Sequence, residues 1–382
     1  MRATAPDVDS LQRRLATAMD QRGDWPDRSA WIRDAVDALP RHRFAPERIW
    51  RWDGHTYAPI DHSRDPARWA SEVYAGPDAA TVTQVTDQLP TSSLSCQAVV
   101  VDMLDSLLLE HGHRVLELGT GNGWNAALLA WRAGPGSVVS IEADPDLADT
   151  ARRALSAVGT VVDVQAGDGN HGWAPDAPYD RVIATYAVET IPWAWVEQTR
   201  PGGRIVTPWG RLGHVALTVA EDGQSATGWV QGLAQFMPDR HTLRTEPGYT
   251  QVRARSEPAT ERPWHRDLAP LRDDVHLQFA LRVALPHIRI TLAEDADGLN
   301  AWIHDAQQSW AALSAIGGAR TIVTQGGPRR LADELEAAWD TWLAQSRPAL
   351  YDFGITVADN GATQYAWVND PMTGPRWPIP RD

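Results

Sequence analysis

The stretch Arg114-Val-Leu-Glu-Leu-Gly119-Thr-Gly121-Asn-Gly123-Trp-Asn-Ala-Ala-Leu-Leu-Ala constrains the fold more than any other. An apolar run of strand character ends in glycines at alternate positions, and Ala126 to Ala130 read as the opening of a buried helix. A strand, a tight turn and a helix in that order leave free backbone N–H groups and a partial positive charge at the helix start. Glycine there lets the backbone approach a ligand without a Cβ clash. The turn is suited to a nucleotide-like ligand.

The residues that follow repeat the alternation. Ser137-Val-Val-Ser-Ile-Glu142 reads as a strand ending on an acid, and Glu142 lies 19 residues beyond Gly123. At about that spacing a nucleotide-binding βαβ unit presents a carboxylate to the ribose hydroxyls. A helix is predicted from Asp144 to Val158, then a strand from Val161 to Gln165 with Asp168-Gly169 after it. Arg181–Thr185 reads as a strand, Ile191–Thr199 as a helix, Pro201-Gly-Gly203 as a turn and Arg204–Thr207 as another strand. Alternating strands and helices predict a parallel sheet covered on both faces. Ligands of such sheets sit at the carboxyl ends of the strands, the edge shared by the glycine turn, Glu142 and Asp168.

Ahead of this core, Asp9 to Leu39 reads as helical, with Leu11, Leu15 and Met19 on one stripe and Trp31 to Leu39 supplying a second. The segment to about Pro77 shows no clear period and is expected to be an irregular cover. Thr81–Thr86 alternates like a strand, and Pro90 to Gln97 is expected to lead its hydroxyls into a helix over Ala98–Leu109. From about Arg240, proline-rich linker signals announce a second unit. It is expected to have strands at Val275–Leu285 and Ile288–Leu292, a helix at Arg329–Ala344, and a hairpin around Asp359-Asn-Gly361. The fold class is therefore α/β, Rossmann-like, with an N-terminal helical segment and a smaller C-terminal α+β domain. The expected partition is 1–90, 91–240 and 241–382.

Charge and composition exclude several functions. A net charge of −14 repels a phosphate backbone, so nucleic acid is not an expected partner. No window is apolar enough to span a membrane, and the polar N-terminus has no secretory core, so a cytoplasmic location is expected. Cys96 is the single cysteine, which rules out intrachain disulfides and thiolate zinc clusters. Every basic residue is arginine, which removes lysine-based covalent chemistry. His55, His62, His111 and His113 lack partners at metal-ligand spacing, and no metal is expected.

Six stretches together resemble the protein L-isoaspartate (D-aspartate) O-methyltransferases, within the Rossmann-like class I methyltransferases. They are Val36-Asp-Ala-Leu-Pro-Arg-His-Arg-Phe-Ala-Pro46, Ser93-Leu-Ser-Cys-Gln97, Val115 to Gly123, Gly167-Asp-Gly169, Tyr179-Asp-Arg-Val-Ile183, and Arg200-Pro-Gly-Gly-Arg-Ile-Val-Thr-Pro-Trp-Gly210. They run in the family's order over about residues 30 to 215. The resemblance implies S-adenosyl-L-methionine at Glu117, Gly119, Gly121 and Gly123, with Glu142 on the ribose and Asp168-Gly169 beside the adenine. It also implies that Ser95 holds the carboxylate to be methylated, with Ser93, His42 and Trp209 around the substrate. Gln97 and Trp124 stand where the family usually has proline and tyrosine.

The C-terminal extension is similar to that of peptide-modifying aspartate methyltransferases of the lanthipeptide and graspetide type, which esterify an aspartate so that it closes to an aspartimide. The expected substrate is thus an aspartyl or isoaspartyl side chain in a ribosomally made, modified peptide, with residues 241–382 helping to recognise it. The alternatives are repair of isoaspartate in proteins and, in another class, a non-catalytic peptide-binding protein. Two residues keep a plainer reading alongside: Asp168 as a turn cap and Ser95 as a helix N-cap.

Overall fold

Leu11, Leu15 and Met19 bury one face of α1 (Val8–Arg22), which ends where Gly23 takes a left-handed conformation. That cap and the Pro26 turn break the expected single helical run, and α2 (Trp31–Ala38) starts afresh, burying Ile32, Ala35 and Val36. The computed structural model describes residues 7–210, 212–240, 247–318 and 320–380. They fall into two units: one runs to residue 242 and includes 356–364, the other holds 243–355 and 365–382.

The stretch expected as irregular cover is regular. β1 (Arg48–Trp52) pairs with β2 (Tyr57–Asp61), and α3 (Pro66–Val73) follows, capped by Asp65, which accepts from the Arg68 N–H. β3 (Thr81–Thr86) forms as predicted, but the hydroxyl-rich stretch after it is a strand, β4 (Leu89–Leu94), and not a helix entrance. Asp87 and Gln88 both take positive φ, which folds a tight hairpin without the Asn-Gly signature that marks such turns. These strands form a sheet in the order β2-β1-β3-β4.

The core is an open sheet. Its strands are β5 (Val115–Leu118), β6 (Val138–Glu142), β7 (Asp163–Ala166), β8 (Tyr179–Ala184), β9 (Thr199–Trp209), β10 (Gly213–Val219) and β11 (Ser225–Leu233). Within the first unit they run β11-β10-β9-β8-β5-β6-β7. The section from β9 to β7 is parallel, while β10 pairs antiparallel with both β9 and β11. The sheet is therefore mixed, where the alternation predicted parallel strands alone. Helices α4 (Gln97–Leu107), α5 (Trp124–Ala133), α6 (Pro145–Ala157) and α7 (Trp193–Glu197) complete this core. The predicted turn at Pro201-Gly203 lies inside β9. Pairing steps from Tyr179↔Thr199 to Arg181↔Arg204, so two residues of advance on β8 face five on β9, and the excess is a bulge. Strand order reverses between β5 and β8, the kind of crevice where doubly wound sheets bind ligands.

Residues 356–364 belong to the first unit: the Gln364 side chain bonds both backbone groups of Ile191, at 2.9 and 2.8 Å. The second unit contains α8 (Tyr249–Arg253), β12 (Pro258–Trp264), α9 (Ala269–Asp273), α10 (Val275–Ala284), β13 (Arg289–Asp295), β14 (Gly298–His304), β15 (Trp310–Ala315), β16 (Thr321–Gly326) and α11 (Leu331–Ala344). Its sheet has the order β12-β16-β15-β14-β13. The strand expected over Val275–Leu285 is instead α10. Asp274 caps it, accepting from the His276 and Leu277 N–H groups at 3.0 and 3.1 Å, and Leu277, Ala280 and Leu281 share its buried face. The alternating residues around Asp359 form β17 (Phe353–Ala358) and β18 (Thr363–Val368), and β19 (Arg376–Pro378) is the last strand among the described residues. Among the described residues, no helix is long and apolar enough to cross a membrane.

Candidate active site

The glycine turn joins β5 to α5, and all three of its glycines take positive φ: Gly119 at 95°, Gly121 at 54° and Gly123 at 88°. Gly119 is the tightest. A Cβ there would lie 2.4 Å from the Thr185 hydroxyl and 3.1 Å from the Tyr186 ring, both beyond the end of β8. At Gly121 a Cβ would come no closer than 3.9 Å to Ser92 Oγ and the Ser93 carbonyl, so β4 runs alongside the turn. Asn122, in the middle of the turn, is 3% exposed and its Oδ1 has no hydrogen-bond partner.

Two acids lie beneath and beside this turn. Glu117 is fully buried in β5, accepting from Asn125 Nδ2 at 2.8 Å and from the Ser140 hydroxyl. Burial outweighs those two hydrogen bonds and pushes its carboxyl up to about 7. Glu142 ends β6. Its two oxygens accept the Gly121 N–H at 2.9 Å and the Asp144 N–H at 3.1 Å. Burial raises its pKa, partly offset by those amides and by the Arg240 charge. Arg240 also bonds Asp144 at 3.2 Å, Gln84 Oε1 at 3.0 Å and the Thr91 carbonyl at 3.0 Å, tying the chain after β11 to the β3–β4 hairpin.

The next edge position belongs to Asp168 and Gly169. Asp168 accepts the Asn170 N–H at 2.9 Å, opening a single 3₁₀ turn, so the capping geometry is present. The Gly169 carbonyl accepts the Trp195 indole N–H at 2.8 Å, and a Cβ on Gly169 would meet the Tyr186 hydroxyl at 2.5 Å. Tyr186 in turn donates to Asn170 Oδ1 at 3.2 Å, and Asn170 donates to Asp239 at 2.6 Å. The two aromatic rings meet edge to face with centroids 6.2 Å apart.

The residues expected around the substrate lie in different settings. Ser95 is half-buried in the corner between β4 and α4, and its hydroxyl has no hydrogen-bond partner among the described residues. It does not cap α4: Cys96 is the N-cap, without a side-chain hydrogen bond. Ser93 lies on β4 opposite Val82. His42 is turned to Tyr74, with 2.7 Å between Nδ1 and the phenol oxygen, and burial lowers its pKa. Trp209 is 8% exposed and its indole N–H is committed to the Glu189 carbonyl at 2.9 Å, which leaves it as a wall. Trp124, the departure next to the glycine turn, is buried, donates to the Leu39 carbonyl at 2.9 Å and carries the Arg41 guanidinium 5.3 Å above its ring. Tyr186 and Arg240 stand outside the quoted motifs, whereas Asn122 and Arg41 lie inside two of them without having been given a role of their own. The Pro-Arg-His element did mark the turn that holds Arg41.

The profile of the family described as Protein-L-isoaspartate(D-aspartate) O-methyltransferase matches residues 65–234. Protein-L-isoaspartate O-methyltransferase 1 of Archaeoglobus fulgidus is 33% identical over 237 residues, 61% of this chain and 94% of the relative. The chain belongs to the protein-L-isoaspartate(D-aspartate) O-methyltransferase family. A second Archaeoglobus fulgidus member of the family is 32% identical over 255 residues, covering 65% of this chain and 99% of its own. A solved protein-L-isoaspartate O-methyltransferase shares the fold with a TM-score of 0.53 and 19% identity, over 94% of this chain and 100% of that one. As a family member the chain is an S-adenosylmethionine-dependent methyltransferase with the class I Rossmann-like fold.

Proposed function

We propose that this chain transfers a methyl group to the free α-carboxyl of an isoaspartyl residue in a protein or peptide. The observation that carries this reading is the match to relatives named for that activity over 94% and 99% of their length. The C-terminal extension was the reason to expect a ribosomally made peptide closing to an aspartimide. The relatives reported above are named for isoaspartate methylation, and the likeness of the solved structure over 94% of this chain concerns the fold alone. Isoaspartate therefore takes precedence as the substrate.

The residues at the sheet edge fit the cofactor. Glu142 keeps lone pairs beyond the two amides it accepts and suits the ribose hydroxyls, and the orphaned Asn122 Oδ1 is a second acceptor in the same turn. Gly121 leaves a close approach open, while Gly119 and Gly123 let the turn pack against Thr185 and Leu155, and Glu117 braces the turn from below through Asn125 and Ser140. Gly169, with Tyr186 and Trp195 against it, suits the adenine, and Asp168 holds that turn. When bound, S-adenosylmethionine supplies a methyl on a positively charged sulfur.

The acceptor carboxylate, with a pKa of about 4, is ionised at neutral pH, so no general base is required. One of its oxygens forms the bond to the methyl carbon as the carbon–sulfur bond breaks, and that electron pair stays on sulfur. The products are the methyl ester and S-adenosylhomocysteine, with no proton to move. The task left to the protein is to orient the carboxylate and exclude water, and orientation alone can contribute roughly 7–11 kcal/mol. The free Ser95 hydroxyl can donate to one carboxylate oxygen while leaving the other nucleophilic. Incubation with linear isoaspartyl peptides and with cyclised aspartyl peptides tests the substrate. Esterification of the linear isoaspartyl set supports the reading; exclusive esterification of the cyclised set overturns it.

A further inference from the structure

Arg41 is 1% exposed, in the short turn between α2 and β1, and among the described residues no carboxylate neutralises it. Burial lowers its pKa to about 10, and the groups facing it, Tyr74 and Cys96, are themselves held neutral because burial pushes the phenol up to about 12 and raises the thiol. An unpaired buried charge is expensive, and a neutral apolar side chain would fill this space at a lower free-energy cost. What arginine alone does here is act in two directions at once. Nη2 donates to the Leu94 carbonyl at 3.3 Å and to the Thr81 hydroxyl at 3.4 Å, while the guanidinium plane sits over Trp124, 5.3 Å from its ring centroid. Leu94 is the residue before Ser95, and Trp124 is the first residue of the helix after the glycine turn. Nε and Nη1 remain without partners, so the side chain is not there to satisfy a hydrogen-bond network of its own.

We propose that Arg41 is a positioning residue for methyl transfer: it ties the Leu94–Ser95 corner to the head of the cofactor helix and so sets the acceptor's distance from the methyl donor. The proposal rests on Ser95 holding the carboxylate. Arg41 touches neither substrate nor cofactor and acts through the backbone at Leu94. Lysine keeps the charge but has no planar fork to stack and donate together, so the two-point hold is lost in Arg41→Lys as well as in Arg41→Met.

The test uses the full chain with Arg41→Met, Arg41→Lys, Ser95→Ala and the corresponding double variants. Four quantities are measured: S-adenosylhomocysteine affinity by calorimetry, the thermal midpoint, and kcat and KM on an isoaspartyl peptide. Misplacement of a reacting group by about 1 Å lowers rate on the order of 100-fold. The expected result is a loss of that order in kcat for both Arg41 variants, with cofactor affinity held within about 3-fold of wild type. In the Ser95→Ala background either Arg41 change should add little, because residues acting as one unit are not additive. If Arg41→Met does not fold, Arg41→Lys is judged by the same criteria. Additive losses, an Arg41→Lys variant with wild-type kcat, or a lowered thermal midpoint with unchanged kinetics in the folded enzyme each overturn the proposal. A wild-type chain that binds cofactor but esterifies no isoaspartyl peptide refutes the substrate reading instead, and shows itself before any Arg41 variant is compared.

Discussion

Replacing Glu142 with glutamine should separate cofactor binding from folding. The carboxylate now accepts two backbone N–H groups, from Gly121 at 2.9 Å and Asp144 at 3.1 Å. Glutamine has one acceptor oxygen and one NH₂ group, so one of those amides would face another donor. An unsatisfied buried group of this kind costs about 1–3 kcal/mol. Removing the charge also removes the desolvation that raises the Glu142 pKa, so the net loss of stability lies toward the lower end of that range. The cofactor loses more specifically. A charged acceptor for ribose hydroxyls is worth about 1.5–3 kcal/mol, which is roughly a 10- to 150-fold weaker Kd. Calorimetry with S-adenosylhomocysteine, run beside a thermal melt of the same preparation, reads both. A Glu142→Gln enzyme that is folded and binds within about 3-fold of wild type would refute the assignment of Glu142 to the ribose.

Two further substitutions probe the same edge. Gly119→Ala puts a Cβ 2.4 Å from the Thr185 hydroxyl at a φ of 95°, so a loss of more than about 1 kcal/mol in urea unfolding is expected, with cofactor binding abolished; wild-type binding would contradict the close packing. Glu117 shapes the pH dependence of stability. Its folded pKa of about 7 lies above the ordinary 4.5, so between those values the native state keeps a proton that the unfolded chain has released. Its contribution therefore weakens stability as pH rises from about 4.5 to about 7, by about 3 kcal/mol, and is constant above that. Glu117→Gln should lack that part of the slope in unfolding curves measured at several pH values; an unchanged slope would show that Glu117 is ionised throughout.

The parallel core was legible because its signals are local. The strand–glycine turn–helix unit, Glu142 at the end of β6 and Asp168-Gly169 after β7 all lie at the same sheet edge. Elements set by long-range pairing were harder to read. β10 and β11 add antiparallel strands to a sheet whose alternation spoke only of parallel ones. β4 was hidden because its hairpin turns through Asp87 and Gln88 at positive φ, with no glycine to mark it. The apolar run at Val275–Leu285 carried strand-forming valines, and the deciding feature was a single capping aspartate, Asp274. Within the site, spacing from the glycine turn pointed to Glu142 and the family resemblance to Ser95, but Trp124 had no reading until its partners were known. Its indole N–H serves Leu39 and its face serves Arg41, both distant in sequence. His42 was read as a substrate neighbour from its motif, and its Nδ1 is engaged with Tyr74.

The central claim is that the methyl group goes to a carboxyl oxygen held at the β4–α4 corner. The most direct measurement supplies methyl-labelled S-adenosylmethionine with an isoaspartyl peptide and its aspartyl twin, then follows label in the peptide before and after mild base. The prediction is incorporation into the isoaspartyl peptide that is released by base as a methyl ester, with one S-adenosylhomocysteine formed per methyl, and loss of incorporation in Ser95→Ala. Label that survives base, or no label in a chain that binds the cofactor, would contradict it.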